Sequence, residues 1–220
     1  MEKRGLKFNT DTLLLILILS LYVIGFLLYP YLPERVPSHW NIRGEVDGYT
    51  GKLSHILFMP TFTLGIYLLL MVVPRIDPKS ENYKKFAGVY QGFKVVFVLF
   101  MFGLYLVTLL AGLGYSLPVG KIVRVAIGIM FIFIGNYFGK IRHNYTYGIK
   151  TPWTLASEEV WNKTHRVSGP LWVIAGFVWV LSVLMNETLA FITGMISIFS
   201  VTIFGFVYSY IIYKKLYGQK

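Results

Sequence analysis

The chain contains no cysteine. That excludes a disulfide framework, thiolate metal ligands and a cysteine nucleophile, and leaves histidine, carboxylate, amide, lysine and arginine side chains for any chemistry. Charge is scarce too: Asp, Glu, Lys and Arg make up 14% of 220 residues, against 55% hydrophobic, about half the charged share of an ordinary soluble domain. A water-soluble single domain is therefore not expected. Acidic residues are scarcest, 10 against 21 Lys and Arg, for a net charge of +11. In so apolar a chain this excess is first the positive charge that holds cytoplasmic loops inside, and no direct nucleic-acid partner is expected. No linker-like or low-complexity stretch appears, so residues 1–220 read as one polytopic membrane domain.

What is present is a series of apolar runs, at 12–32, 56–73, 95–113, 122–139, 171–185 and 189–213. Most approach the roughly 20 residues that cross a hydrocarbon core. The first is not a signal peptide: its uncharged stretch is too long, and Tyr29-Pro30-Tyr31-Leu32-Pro33 offers no small-residue cleavage site. Sixteen Lys and Arg lie in the two tails and the second and fourth connections, against five in the others, which puts both termini in the cytoplasm. The expectation is an all-α integral membrane protein of six transmembrane helices with short interfacial helices in its cytoplasmic loops, its first partner being the lipid bilayer. No span is expected to bury an Asp, Glu or Lys; Arg124 is expected to snorkel to the outer surface, and Asn136 to bond a neighbouring helix.

Three connections exceed a minimal turn. The outer loop, 33–54, carries Pro33, Pro37, Gly44 and Gly48, so it reads as compact and ordered. It presents His39, Asn41, Asp47 and Lys52, either as an outward ligand site or as a loop whose side chains satisfy local backbone. A single His among scattered amides is no metal spacing. In the cytoplasmic loop 74–94, Asp77 and Pro78 read as a helix start running on into the third span, with Tyr83, Phe86, Tyr90 and Phe93 at helical spacing. The cytoplasmic loop 140–170 is the most informative. Thr154 reads as the cap of a helix displaying Glu158, Trp161, Asn162 and His165 along one side, with Glu159 beside them and Lys150 and Arg166 bracketing the acids.

The outer stretch Leu32-Pro33, Val36-Pro37-Ser38-His39-Trp40-Asn41, Gly44, Asp47-Gly48 and Lys52 resembles an amino-terminal domain of unknown function shared by many small bacterial and archaeal membrane proteins. The stretch Gly135-Asn136-Tyr137, Lys140, Asn144, Gly148-Ile149-Lys150-Thr151-Pro152-Trp153-Thr154-Leu155, Ser157-Glu158-Glu159-Val160-Trp161 and Lys163-Thr164-His165-Arg166 resembles the signature of the SdpI immunity-protein family. The resemblance implies a multi-pass plasma-membrane protein that gives resistance to a secreted peptide toxin outside and draws a repressor protein to the membrane inside. It places the functional cytoplasmic segment at Asn136, Asn144, Lys150, Thr151, Trp153, Glu158, Glu159, Trp161 and His165. No catalytic residue, metal ligand or cofactor is assigned. The alternative reading is a membrane enzyme, metal-assisted, using Glu158, Glu159, His165 and His143 at the cytoplasmic interface. H-E-x-x-H and G-x-S-x-G motifs are both missing.

Overall fold

The structure, a computed structural model, describes residues 9–218. Among these, six helices are long and apolar enough to cross a membrane. They are α1 (Thr10–Leu28), α2 (Lys52–Ile76), α4 (Ala87–Gly112), α5 (Val119–Phe138), α7 (Glu158–Leu181) and α8 (Glu187–Tyr217); the short helices α3 (Ser80–Lys85) and α6 (Pro152–Ala156) lie between them. Several spans are longer than their apolar runs because the polar flanks are helical as well. Glu158–Arg166, expected as a separate interfacial helix, forms the first turns of α7, which passes through Pro170 without ending.

The expectation of an all-α chain is corrected in the first connection. Strands β1 (Arg35–Trp40) and β2 (Val46–Gly51) form an antiparallel hairpin with Val36 opposite Thr50 and Trp40 opposite Val46. β-Branched and aromatic residues flank a turn in which Gly44 takes φ +78°, a combination that favours strands over helix.

The chain divides into two compact units. The first takes in described residues 9–41, 46–70 and 94–117. Val36 and Leu32 pack there with Leu21, Ile56, Tyr105 and Leu109 in a buried cluster. Gly112 permits this docking, since a Cβ on it would fall 2.7 Å from Val36 Cγ1. A second correction lies in this unit: Lys94 is not a loop residue but buried within α4, with Nζ 2.6 Å from Asp11 Oδ1. The Tyr67 hydroxyl donates to the same carboxylate at 2.8 Å. An apolar pattern does not show a buried lysine whose counter-charge sits 83 residues earlier.

The second unit takes in 42–45, 71–93 and 118–218. Here α5 and α7 run antiparallel with backbones in contact. A Cβ on Gly128 would lie 2.6 Å from Gly176 O, and one on Gly135 would lie 2.6 Å from Gly169 O. Small residues at a membrane helix crossing allow this approach. Arg124 does not snorkel: it is 6% exposed and ion-paired with Glu187. Nor does Asn136 reach another helix; its amide donates to Ile132 O of its own helix at 2.9 Å.

Candidate functional site

Residues 139–157 carry little regular structure, so their backbone polar groups need other partners. Asn144, fully buried, supplies several. Its Oδ1 accepts from the backbone of Thr146 at 2.9 Å and Tyr147 at 2.6 Å, and its Nδ2 donates to Arg142 O and Tyr147 O. Asp77 ties the preceding connection to this knot: Oδ1 accepts from Lys79 N, while Oδ2 accepts from the Tyr83 hydroxyl, Tyr145 N and the Thr146 hydroxyl, each at 3.0 Å. Asn82 completes the tie by donating to His143 O. Asp77 is thus no N-cap of a helix continuing into α4. The chain breaks at Phe86, and α3 lacks a side-chain cap. Burial opposes ionisation of Asp77, but its donors outweigh it and hold the carboxyl below its ordinary value. Burial raises the Tyr83 and Tyr147 phenols, and burial with the nearby Lys79 charge lowers His143.

The floor of the segment is α7. Trp161 and His165 are both fully buried and stack at 4.1 Å. Trp161 donates through Nε1 to Ile141 O at 2.9 Å. His165 Nε2 accepts from Ile149 N at 2.9 Å, so it bears no proton, and Nδ1 donates to Trp161 O. The ring is a neutral tautomer with both nitrogens in use. Gly148, at φ +124°, lies over this pair; a Cβ there would strike His165 Nε2 and come within 3.0 Å of Trp161.

Helix caps differ from expectation. Thr151 caps α6 in a capping box with Thr154, and its hydroxyl pairs with Ser209 at 2.9 Å. Ser157 caps α7 and shares a 3.0 Å bond with the Tyr217 hydroxyl. Trp153 packs on Phe206 and Tyr210 of α8.

Asn144, Thr151, Trp161 and His165 thus form the interior of the segment. Lys150, Glu158 and Glu159 are exposed. Glu159 pairs with Lys163 at 2.7 Å, one turn on, and the expected bracketing by Lys150 and Arg166 gives way to that helical neighbour. Glu158 and Glu159 line an open groove of about 410 Å³ with Tyr213 and Tyr217. Asn136 stands apart from the knot in α5. Among the described residues no three His, Asp or Glu side chains gather as a metal site. Chemically, the segment is equipped to present a fixed surface. With its nitrogens engaged, His165 is a structural strut and not a free base.

In the hairpin, His39 Nδ1 lies 2.5 Å from Asp47 Oδ1, and Lys52 pairs with Glu34 at 2.7 Å while its Nζ sits 4.8 Å from the Tyr29 ring centroid. His39 and Asp47 thus satisfy one another, Lys52 is taken up by Glu34, and Asn41 directly follows the first strand. Sequence reasoning missed the glycine pairs 128/176 and 135/169, whose seven-residue spacing on each helix was the available signal.

Residues 140–211 match the SdpI/YfhL protein family, and residues 15–64 match a domain of unknown function, DUF1648. The chain is 29% identical over 207 residues to "Immunity protein SdpI" of Bacillus subtilis (strain 168), covering 94% of this chain and 97% of that protein. No solved structure matches.

Proposed function

From the match of residues 140–211 to the SdpI/YfhL protein family and the 29% identity to an immunity protein, we propose that this chain is a member of that family and a plasma-membrane immunity and signalling protein. In this reading it gives resistance to a secreted toxic peptide and holds a transcriptional repressor at the membrane. The observation that carries the reading is the end-to-end match, 94% of one chain and 97% of the other, to a protein that is itself an immunity protein. The Lys/Arg asymmetry supports cytoplasmic termini, an outside hairpin and an inside knot at 139–157. His39, Asn41, Asp47 and Lys52 then belong to the face that meets the peptide. The groove of Glu158 and Glu159 is acidic in a chain of net charge +11, which suits a basic segment of a repressor.

The decisive experiment is survival. Sensitive cells producing the chain are challenged with the secreted peptide fraction of its host, beside cells with an empty vector. Selective survival of the producers is expected, and equal killing at normal membrane abundance overturns the immunity reading. For the signalling half, a tagged repressor should concentrate at the membrane on challenge, and a Glu158→Gln, Glu159→Gln double variant should leave it in the cytosol.

A further inference from the structure

Where β2 passes into α2, within the first unit, a pocket of about 380 Å³ is lined by Ser38, Thr50, Ser54 and Thr108, by His55, and by Phe58 and Met59. This is within the size range of small-molecule sites. His55 is 4% exposed, and its protonation follows from its neighbours. The Thr108 hydroxyl gives its one proton to Tyr105 O at 2.9 Å, so across the 3.2 Å contact with His55 Nε2 it can only accept. The ring therefore carries its proton on Nε2, and Nδ1 is a bare acceptor with no partner among the described residues. On a ring that is otherwise buried, this acceptor is available to a donor that enters the pocket.

Two further observations define what that donor belongs to. The lining holds no Asp, Glu, Lys or Arg, so a phosphate, carboxylate or ammonium head would enter without a counter-charge. From the pocket mouth a second hollow of about 460 Å³ continues along α2, sharing Ser54 and Phe58 and extending through Leu57, Thr61 and Phe62. Phe58 and Phe62 are exposed, stack at 6.0 Å, and lie on a helix of membrane-spanning length. An uncharged, largely apolar pocket with hydroxyl and imidazole groups in its lining thus adjoins a second apolar hollow along the same helix.

We propose that this composite site binds a monohydroxy lipid, its hydroxyl donating to His55 Nδ1 and its hydrocarbon chain lying along Phe58 and Phe62. The proposal does not rest on the immunity reading, and its readout is ligand labelling and not survival.

The test uses the full chain in phosphatidylcholine nanodiscs with hexadecanol bearing a diazirine on its alkyl chain. Illumination should label the peptide containing Phe58 and Phe62 in preference to the other helices. Free hexadecanol should compete, while its methyl ether, which cannot donate, and hexadecanoate, whose charge finds no counter-charge, compete about tenfold less well. His55→Phe keeps an aromatic ring but removes the acceptor, and should erase the preference for alcohol over ether. Ser54→Leu, at an exposed position on the mouth, should reduce labelling about as much and serves if His55→Phe fails to fold. Labelling spread over all six long helices, equal competition by alcohol and ether, or an unaltered preference in the folded His55→Phe protein would each overturn the proposal.

Discussion

At Gly148 the backbone takes φ +124° and passes directly over the Trp161–His165 pair. Gly148→Ala should cost about 1–3 kcal/mol in backbone strain before any clash is counted. A thermal melt of the purified protein reads this as a lowered midpoint. Asp77 makes a pH-dependent prediction. Its folded-state carboxyl lies below the ordinary value, so its charge stabilises the fold above about pH 4, and that contribution vanishes as pH falls through the folded value. Asp77→Asn should therefore melt earlier than wild type at pH 7, with the gap closing toward pH 3. Residue identity and residue role come apart most clearly at Glu159 and Trp161. Both stand out in the sequence, yet Trp161 is fully buried while Glu159 is half exposed beside Lys163. Trp161→Ala should destabilise by about 3–5 kcal/mol and Glu159→Ala by about 0–1 kcal/mol, as measured by denaturant titration. Sequence marks 136–166 as polar within an apolar chain. It does not show which of those polar groups face inward, because that depends on partners such as Ile141 O, Ile149 N and Asp77.

Among the elements, the crossing of α5 and α7 rests on four glycines with no side-chain layer between the backbones. Gly135→Ala should force the helices apart, an overpacking cost of about 1–3 kcal/mol. Gly103 provides the control: a Cβ there meets nothing within 4 Å, so Gly103→Ala should leave the unfolding midpoint unchanged or raise it. Unfolding in increasing dodecyl sulfate would separate the two. The long helices were legible because hydrophobic length is a property of sequence alone. The hairpin was legible only as order and turns, since its strands are short and cannot stand without Val36 and Leu32 in the buried cluster. Helix ends were misplaced because Thr151 and Ser157 compete with Thr154 as caps, and pairing with Ser209 and Tyr217 decides the contest.

For the whole molecule, the proposed orientation can be checked with the chain's own composition. With no native cysteine, Ile42→Cys and Lys84→Cys are each the sole thiol; both positions are exposed. An impermeant maleimide should label Ile42→Cys on intact cells and Lys84→Cys only after permeabilisation, and the opposite result would reverse the orientation. The buried ion pairs bear on how the chain is made. Asp11 pairs with Lys94 across 83 residues, and Arg124 with Glu187 across 63. A ribosome adding about 5–20 residues per second leaves each leading charge without its mate for roughly 3–17 seconds. Through that interval α1 holds an acid, and later α5 a base, that lipid accommodates poorly. The final seating of each must await synthesis of a much later helix, so the chain can be inserted in order yet assembled only in retrospect.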